Sequence, residues 1–539
     1  MGAMFVAIVL VGGFFDWGVA AIGAIIVGEI VLFYRKEKPV YKKKRTIFTC
    51  IPLIFLILML LSSLWAVDAT MNLFGVIRGI VILLWMYLCF QMEETEGIRI
   101  LDMIPYIGAV MVVIGIISQI HQSFSSLFWQ ARRFGGFFQY ANTCALFLML
   151  GVVILVQRMF QGKRRNKEKI KICFLLFLLI TGIFLTGSRS IVLIFLVWGI
   201  YKAFTVKRLR LPIVIVTFLC VTVAYIYGMA AGDRQNIARI FTLGSTNSTI
   251  LGRLLYYVDG LSMVKERPLG LGYMGYYYMQ PAVQTGVYTT RFIHNDFLQV
   301  LVDYGIIACM MAVIYLVYQL IKGRQGKDKK ELLVIILLAS LVDFHMQYMS
   351  VFMIAVLCFD LGTKEKVRKR RDLRENYVFC VVAIVFFSYI LIACLAFQMK
   401  KYELALQLIP GYTEAQTQYL GECADKEEAV LIADNILARN EYIAEAYHTK
   451  MYAALMDGDF DTALYCMDST LAIRRYDVER YKMYDELLDE MILISEKEMP
   501  NEAERLRLYK NELPKRLAML EKSTHPIAFE LRDRPVFSW

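Results

Sequence analysis

Arg291-Phe-Ile-His-Asn-Asp-Phe-Leu-Gln-Val-Leu-Val-Asp-Tyr-Gly305 sets a tight run of polar, titratable residues directly ahead of an apolar stretch that continues through Ile307 and Met311 to Leu320. An apolar run of that length reads as a membrane helix, so the polar residues stand at a membrane's edge. Asn295 or Asp296 can cap the helix, which leaves His294 beside its amino end, where unpaired N–H groups and the helix dipole favour an anion. A neutral imidazole there can act as a base; the plainer reading is a polar cap at the interface.

Composition agrees with a membrane setting. Of 539 residues, 58% are apolar and 20% charged, and the mean hydropathy is +0.51. These values exclude a soluble fold over most of the length and indicate a polytopic membrane protein. The net charge of +11 does not point to nucleic acid, because the bases cluster in short loops between apolar segments, the pattern that orients membrane proteins. The 11 cysteines are scattered singly, with no CxxC pair, and read as small core residues. With no Walker A loop, HExxH or GxSxG, no cofactor and no metal are expected.

Two apolar stretches, 1–15 and 18–34, are split by Asp16 and predict a short uncleaved hairpin. Further spans are expected at 46–66, 74–90, 98–120, 142–160, 172–185, 191–204, 211–229, 297–321 and 377–397. The run 331–361 is too long for one span, and Asp343, Phe344 and His345 in its middle predict a re-entrant or full hairpin. Five basic blocks (35–45, 163–171, 207–210, 322–330, 364–374) fall on one side when roughly thirteen spans are drawn. Residues after Met399 then lie outside. Left on the outer side are Arg132, Arg133, Arg189, Arg234, Arg239, Arg253, Lys265, Arg267 and Arg291, which orientation does not require and which are candidates for binding an anion.

Three of these arginines sit in distinctive settings. Leu185-Thr-Gly-Ser-Arg-Ser190 joins two apolar runs through a very short turn and pins Arg189 at the boundary, where a fixed guanidinium binds phosphate well; snorkelling to headgroups is the plainer alternative. Arg133-Phe-Gly-Gly-Phe-Phe-Gln-Tyr-Ala-Asn-Thr143 leads to Asn142, which is expected to cap the next helix or to bind a sugar hydroxyl. In the long loop 230–294, residues 251–264 are amphipathic and predict an interfacial helix with Arg253 at its beginning, followed by Arg267-Pro-Leu-Gly-Leu-Gly-Tyr273. Gly270 to Gly275 spells GxGxxG without a preceding strand, so a turn is expected, and Tyr273, Tyr276, Tyr277 and Tyr278 are expected mostly in the aromatic belt.

Taken in order, these pieces resemble the O-antigen ligase and O-antigen polymerase superfamily: His-Asn-Asp-x-Leu-Gln at 294–299, the Ser-Arg element at 188–189, the Gly-Phe stretch before Asn142, and Arg253, an aromatic helix and Pro-x-Gly-x-Gly between them. The resemblance implies an all-α polytopic membrane helix bundle, C-type glycosyltransferase-like, of about 12–13 spans. It implies a glycan donor on a polyprenyl pyrophosphate carrier, held at the outer face of the cytoplasmic membrane by Arg189 and Arg253. His294 would activate the acceptor hydroxyl with Asp296 its candidate orienter, and Arg133, Asn142, Arg291, Asn295 and Asp296 would bind substrate. The acceptor is a glycan, a lipid, a wall polymer or a protein; the motifs do not separate ligase from polymerase. Alternatives are a transporter or flippase of the same lipid-linked oligosaccharide, or a membrane-anchored scaffold.

Beyond Met399 the pattern turns charged and helical, at 403–408, 426–439, 444–456, 461–474, 481–498 and 502–520. Residues 446–464 resemble a tetratricopeptide-like helix pair. The division expected is a membrane unit at 1–398 and an extracytoplasmic helical-repeat domain at 399–539 that offers a face to a protein partner. Cys423 and Cys466 lie in this tail, where they are either reduced or paired according to compartment.

Overall fold

The computed structural model describes residues 1–35, 41–43, 47–159, 165–206, 218, 222, 248–366 and 373–539. The expected span 211–229 apart from Phe218 and Thr222, the basic block 207–210, Arg234 and Arg239 lie outside the described residues.

The apolar runs fold as helices. In chain order come α1 (Gly2–Val9), α2 (Asp16–Arg35), β1 (Tyr41–Lys43), α3 (Ile47–Leu61), α4 (Ala69–Gln91), α5 (Glu94–Ser118), α6 (Gln122–Phe128) and a small strand pair, β2 (Trp129–Gln130) with β3 (Arg133–Phe134). Then follow α7 (Ala141–Met159), α8 (Asn166–Leu185), α9 (Arg189–Thr205), α10 (Ser248–Glu266), α11 (Gly275–Val283), α12 (Asp296–Ile321), α13 (Lys327–Ser340), α14 (Met349–Leu357), β4 (Lys364–Lys366) and α15 (Leu373–Gln398). Among the described residues, six helices are long and apolar enough to cross a membrane: α2, α4, α5, α7, α12 and the part of α15 from Tyr377. The chain is an all-α polytopic bundle. In α7 nearly every side chain is buried, so this helix forms the centre, whereas α12 and α15 leave apolar faces such as Ile307, Met310, Val381 and Val385 outward, as lipid-facing helices do.

One expectation changes here and another holds. The stretch 1–15 forms the eight-residue α1, about 12 Å long and too short to span, and a 3-10 turn at Val11–Gly13. The helix stops because Gly12 and Gly13 take φ of +68° and +69°, with a Cβ at either coming within 2.7 Å of neighbouring side chains. The run 331–361 is a true hairpin: α13 rises to Ser340, the chain turns through Asp343 and a 3-10 turn at His345–Gln347, and α14 returns. Beyond it β4 pairs antiparallel with β1, Tyr41 opposite Lys366. Asp343 and Lys364 therefore sit at opposite ends of the bundle.

The helix directions agree with that placement. At one end Gln91 bonds the Tyr41 backbone, Gln157 and Lys202 meet Glu331, and Gln319 bonds Asp360. The described parts of the basic blocks collect there. At the other end are Asp68, Asn142, Thr186, His294 and Asp343.

The tail continues from that second end as α16 (Tyr402–Leu408), α17 (Thr413–Leu420), α18 (Lys426–Leu437), α19 (Ala444–Met456), α20 (Phe460–Ile473), α21 (Val478–Glu498) and α22 (Pro500–Ser523). Only α17 escaped the sequence pattern. α19 and α20 pack as a hairpin closed at Gly458, whose φ is +70°. The bundle's hydrophobic core runs on without a break to Ala446, and a separate core spans Met451 to Leu520. Thr413 and Asn440 donate to Asp68, which also caps α4 at the Met71 N–H. At its far end the tail comes back to the bundle: the His525 N–H donates to the Thr285 carbonyl at 2.9 Å, and Ala528 and Leu531 pack on Leu255 of α10. Cys423 and Cys466 are separate free thiols.

Candidate active site

The His294 loop is built by the polar residues around it. Asn295 is the N-cap of α12, its side-chain oxygen accepting from the N–H groups of Phe297 and Leu298 at 3.0 Å. Gln299 accepts from the Ile293 N–H at 2.9 Å and donates to Asp303 at 2.8 Å. Asp296 accepts from the Met346 N–H at 2.9 Å, which ties the start of α12 to the hairpin turn. His294 itself sits at φ +60°, a left-handed conformation costing about 1 kcal/mol or more in a residue with a Cβ. Its carbonyl is held by the Tyr257 hydroxyl at 2.9 Å. So fixed, the imidazole is aimed at the hairpin turn.

There it meets Asp343, whose carboxylate is the hub of the cluster. Nδ1 of His294 lies 2.9 Å from Oδ1, and Nη2 of Arg253, from the second turn of α10, lies 3.1 Å from Oδ2. Tyr140 donates to the carboxylate at 3.0 Å, Asn142 donates to Oδ2, and the Phe344 N–H donates to Oδ1 at 2.9 Å. Arg133 extends the network, donating to Asn142 Oδ1 and to the Thr186 carbonyl, both at 2.9 Å. Thr186 belongs to the turn that opens α9, so the same turn presents Arg189. Burial alone would raise the pKa of Asp343, but the imidazole and guanidinium beside it outweigh burial and hold the carboxyl well below its usual range.

The hairpin carries a second imidazole, and exposure separates the two. His345 is fully buried, with Nδ1 3.0 Å from the Thr143 hydroxyl, and burial pushes its pKa down to about 4. The side chain of His294 is 20% exposed, so it alone of the pair can meet a substrate. The ring of Phe344 packs edge-on to it at 4.8 Å, and Tyr256 lies 6.0 Å away.

Of the residues singled out in the sequence, Arg133, Asn142, Arg253 and His294 come together at Asp343. The others divide. Asn142 is the second residue of α7 rather than its cap, because its amide is drawn into the Asp343 network. Asp296 is not the partner of His294; that place is taken by Asp343, 49 residues further on. Arg291 points to the tail, pairing with Glu414 at 3.1 Å, and Arg267 lies 3.7 Å from Glu441. Tyr273, Tyr276 and Tyr278 are buried in the core rather than spread in a belt. Asp343 was missed as a site residue, although an acid and a histidine inside an apolar run were its signal.

Fold and site together define a multi-pass, all-helical membrane protein with an imidazole, a carboxylate and guanidinium groups gathered at one end of the bundle. Residues 174–313, about a quarter of the chain, match the family model described as O-antigen ligase, and a helical bundle with several apolar helices fits that membrane superfamily. The matched segment runs from α8 through the Ser-Arg turn and α10 into α12. The family implies glycan transfer of the ligase or polymerase kind. No curated protein and no solved structure matched the chain.

Proposed function

We propose that this protein transfers or polymerises glycans from a polyprenyl pyrophosphate carrier at the outer face of the cytoplasmic membrane. The observation that carries the reading is the single cluster of His294, Asp343 and Arg253, linked through Asn142 to Arg133, at the bundle end opposite the basic blocks. Basic residues stay cytoplasmic, so the cluster faces outward and the tail, which starts at the same end, is extracytoplasmic.

In this reaction Asp343 holds the imidazole through Nδ1 and leaves Nε2 to take the proton of the acceptor hydroxyl. The hydroxyl oxygen forms its bond to the anomeric carbon as the bond from that carbon to the pyrophosphate oxygen breaks, and polyprenyl pyrophosphate departs. Arg189 and Arg253 stabilise the charge that develops on the leaving oxygen, the work that a metal ion performs elsewhere. Tail residues 399–539 form an outer helical unit with a face for a protein partner.

The test is reconstitution with a polyprenyl-pyrophosphate-linked glycan. His294→Ala is expected to abolish transfer while donor binding survives; undiminished transfer would remove the base role. Extracting the lipid-linked pool then separates polymerase, which leaves long chains on the carrier, from ligase, which moves them elsewhere.

A further inference from the structure

Behind the His345–Gln347 turn, on the side away from His294, lies a cavity of about 240 Å³ that the proposed reaction does not use. It runs between α3, α4, α12 and the hairpin, along α4 from Gly75 to Met86, a depth of about 16 Å at the helical rise. That is roughly half the hydrocarbon thickness of a bilayer. Its walls are apolar for most of that depth, with Leu56, Leu83, Val300, Leu316 and Phe352 among them. The helices beside it, α3 and α12, turn exposed apolar side chains such as Ile57 and Ile307 outward, so bilayer hydrocarbon lies next to the chamber.

The end nearest the turn is polar, and two of its groups are unsatisfied. Asp296 is 5% exposed and Ser340 1%. Both line the cavity, and Oδ1 of Asp296 and Oγ of Ser340 stand near each other without closing a hydrogen bond of normal geometry to any protein group. Buried polar atoms left this way are costly, and a ligand atom is one of the few things that relieves them. An apolar shaft capped by an acceptor and a hydroxyl matches an amphiphile with its chain inward and a donor at its head. The head is constrained further, since Arg78 in the lining is already engaged by Asp16 and the Phe14 and Gln347 carbonyls. An anionic head would be a buried charge with no free cation among the described lining residues to balance it.

We propose that this chamber binds the hydrocarbon chain of a membrane lipid whose polar end is an uncharged hydroxyl, which donates to Asp296 and accepts from Ser340. The site is distinct from the Asp343 cluster and takes a different headgroup class from the pyrophosphate carrier. It rests on the membrane reading but not on the transfer reaction, because the test below requires no turnover.

The experiment uses the full chain in nanodiscs, with two photoactivatable lipids carrying a diazirine in mid-chain: a diacylglycerol and a phosphatidic acid of the same chains. Cross-linked peptides are mapped by mass spectrometry. The diacylglycerol is expected to label chamber residues such as Leu83 and Ala312 roughly tenfold more than the phosphatidic acid, a ratio worth about one or two hydrogen bonds. Both should label lipid-facing Ile307 equally. Ala312→Trp, which fills the shaft, should remove the chamber label and spare that at Ile307. Ser340→Ala, a milder change on the same wall, should narrow the preference between headgroups. Unlabelled diacylglycerol should compete where unlabelled phosphatidic acid does not. Chamber label no higher than the lipid-facing background overturns the site, and equal or greater labelling by the phosphate-headed lipid overturns the headgroup assignment.

Discussion

Replacing Asp343 by Asn tests the cluster at its hub. The carboxylate accepts from five groups on its two oxygens: the Phe344 N–H, His294 and Tyr140 at Oδ1, and Arg253, Asn142 and again Tyr140 at Oδ2. Asparagine keeps one acceptor oxygen and turns the other into a donor. If the new amide faces Oδ2's partners, it opposes the N–H groups of Arg253 and Asn142. If it faces Oδ1's, it opposes the Phe344 N–H and forces His294 Nδ1 to accept, which moves the ring proton to Nε2 and removes the base. Either way two hydrogen bonds to a charged acceptor are lost, at about 1.5–3 kcal/mol each. A cost of about 3–6 kcal/mol corresponds to at least roughly 100-fold in transfer rate. The assay is transfer to acceptor in proteoliposomes, run beside thermal unfolding in detergent so that a folded variant can be told from a lost one. A folded Asp343→Asn protein that transfers within threefold of the unchanged chain would refute the assignment of Asp343 as the group that orients His294.

Glu414→Gln breaks the ion pair with Arg291, a side chain 35% exposed; partial exposure reduces the cost of a severed buried pair to about 2 kcal/mol, and limited proteolysis should cut faster between Gln398 and Thr413. Acidification should weaken the fold through His345, whose pKa is pushed down to about 4: the unfolded chain takes up this proton first, so stability is full above about pH 6.5 and falls towards pH 4 by about 3 kcal/mol. His345→Gln should flatten that slope in a pH series of melting curves. Gly270→Ala should lower the melting temperature sharply, because Gly270 has φ +94° and a Cβ there lies 2.5 Å from the Asp303 carbonyl oxygen. The left-handed conformation alone costs about 1–2 kcal/mol.

Most helices were legible because hydrophobic runs of fixed length admit few alternatives in a membrane. The loop chemistry was legible where it was local: the cap at Asn295, the amphipathic helix around Arg253 and the turn before Arg189 depend on neighbours a few residues away. What was hidden depended on partners far along the chain. Asp343 reaches His294 across 49 residues, and no local pattern pairs them. Asn142 looked like a cap because caps are the commonest use of Asn before a helix, yet a buried carboxylate claims its amide. The aromatic belt was the expectation for the tyrosines, whereas Tyr273 packs against Gly75 of α4 and lies 5.3 Å from the Arg78 guanidinium, contacts visible only once the loop is folded back on the bundle.

The tail grips the bundle along its length, by Thr413, Glu414 and Asn440 at its root, by Arg475 on the Ala282 carbonyl in its middle, and by His525 and Ala528 at its tip. A strap stitched at root, middle and tip cannot swing aside as a pendant on one cord does. Trimming the last fifteen or so residues would leave the inner stitches in place, but Arg253 on α10 would lose the backing that Leu255 now shares with Ala528.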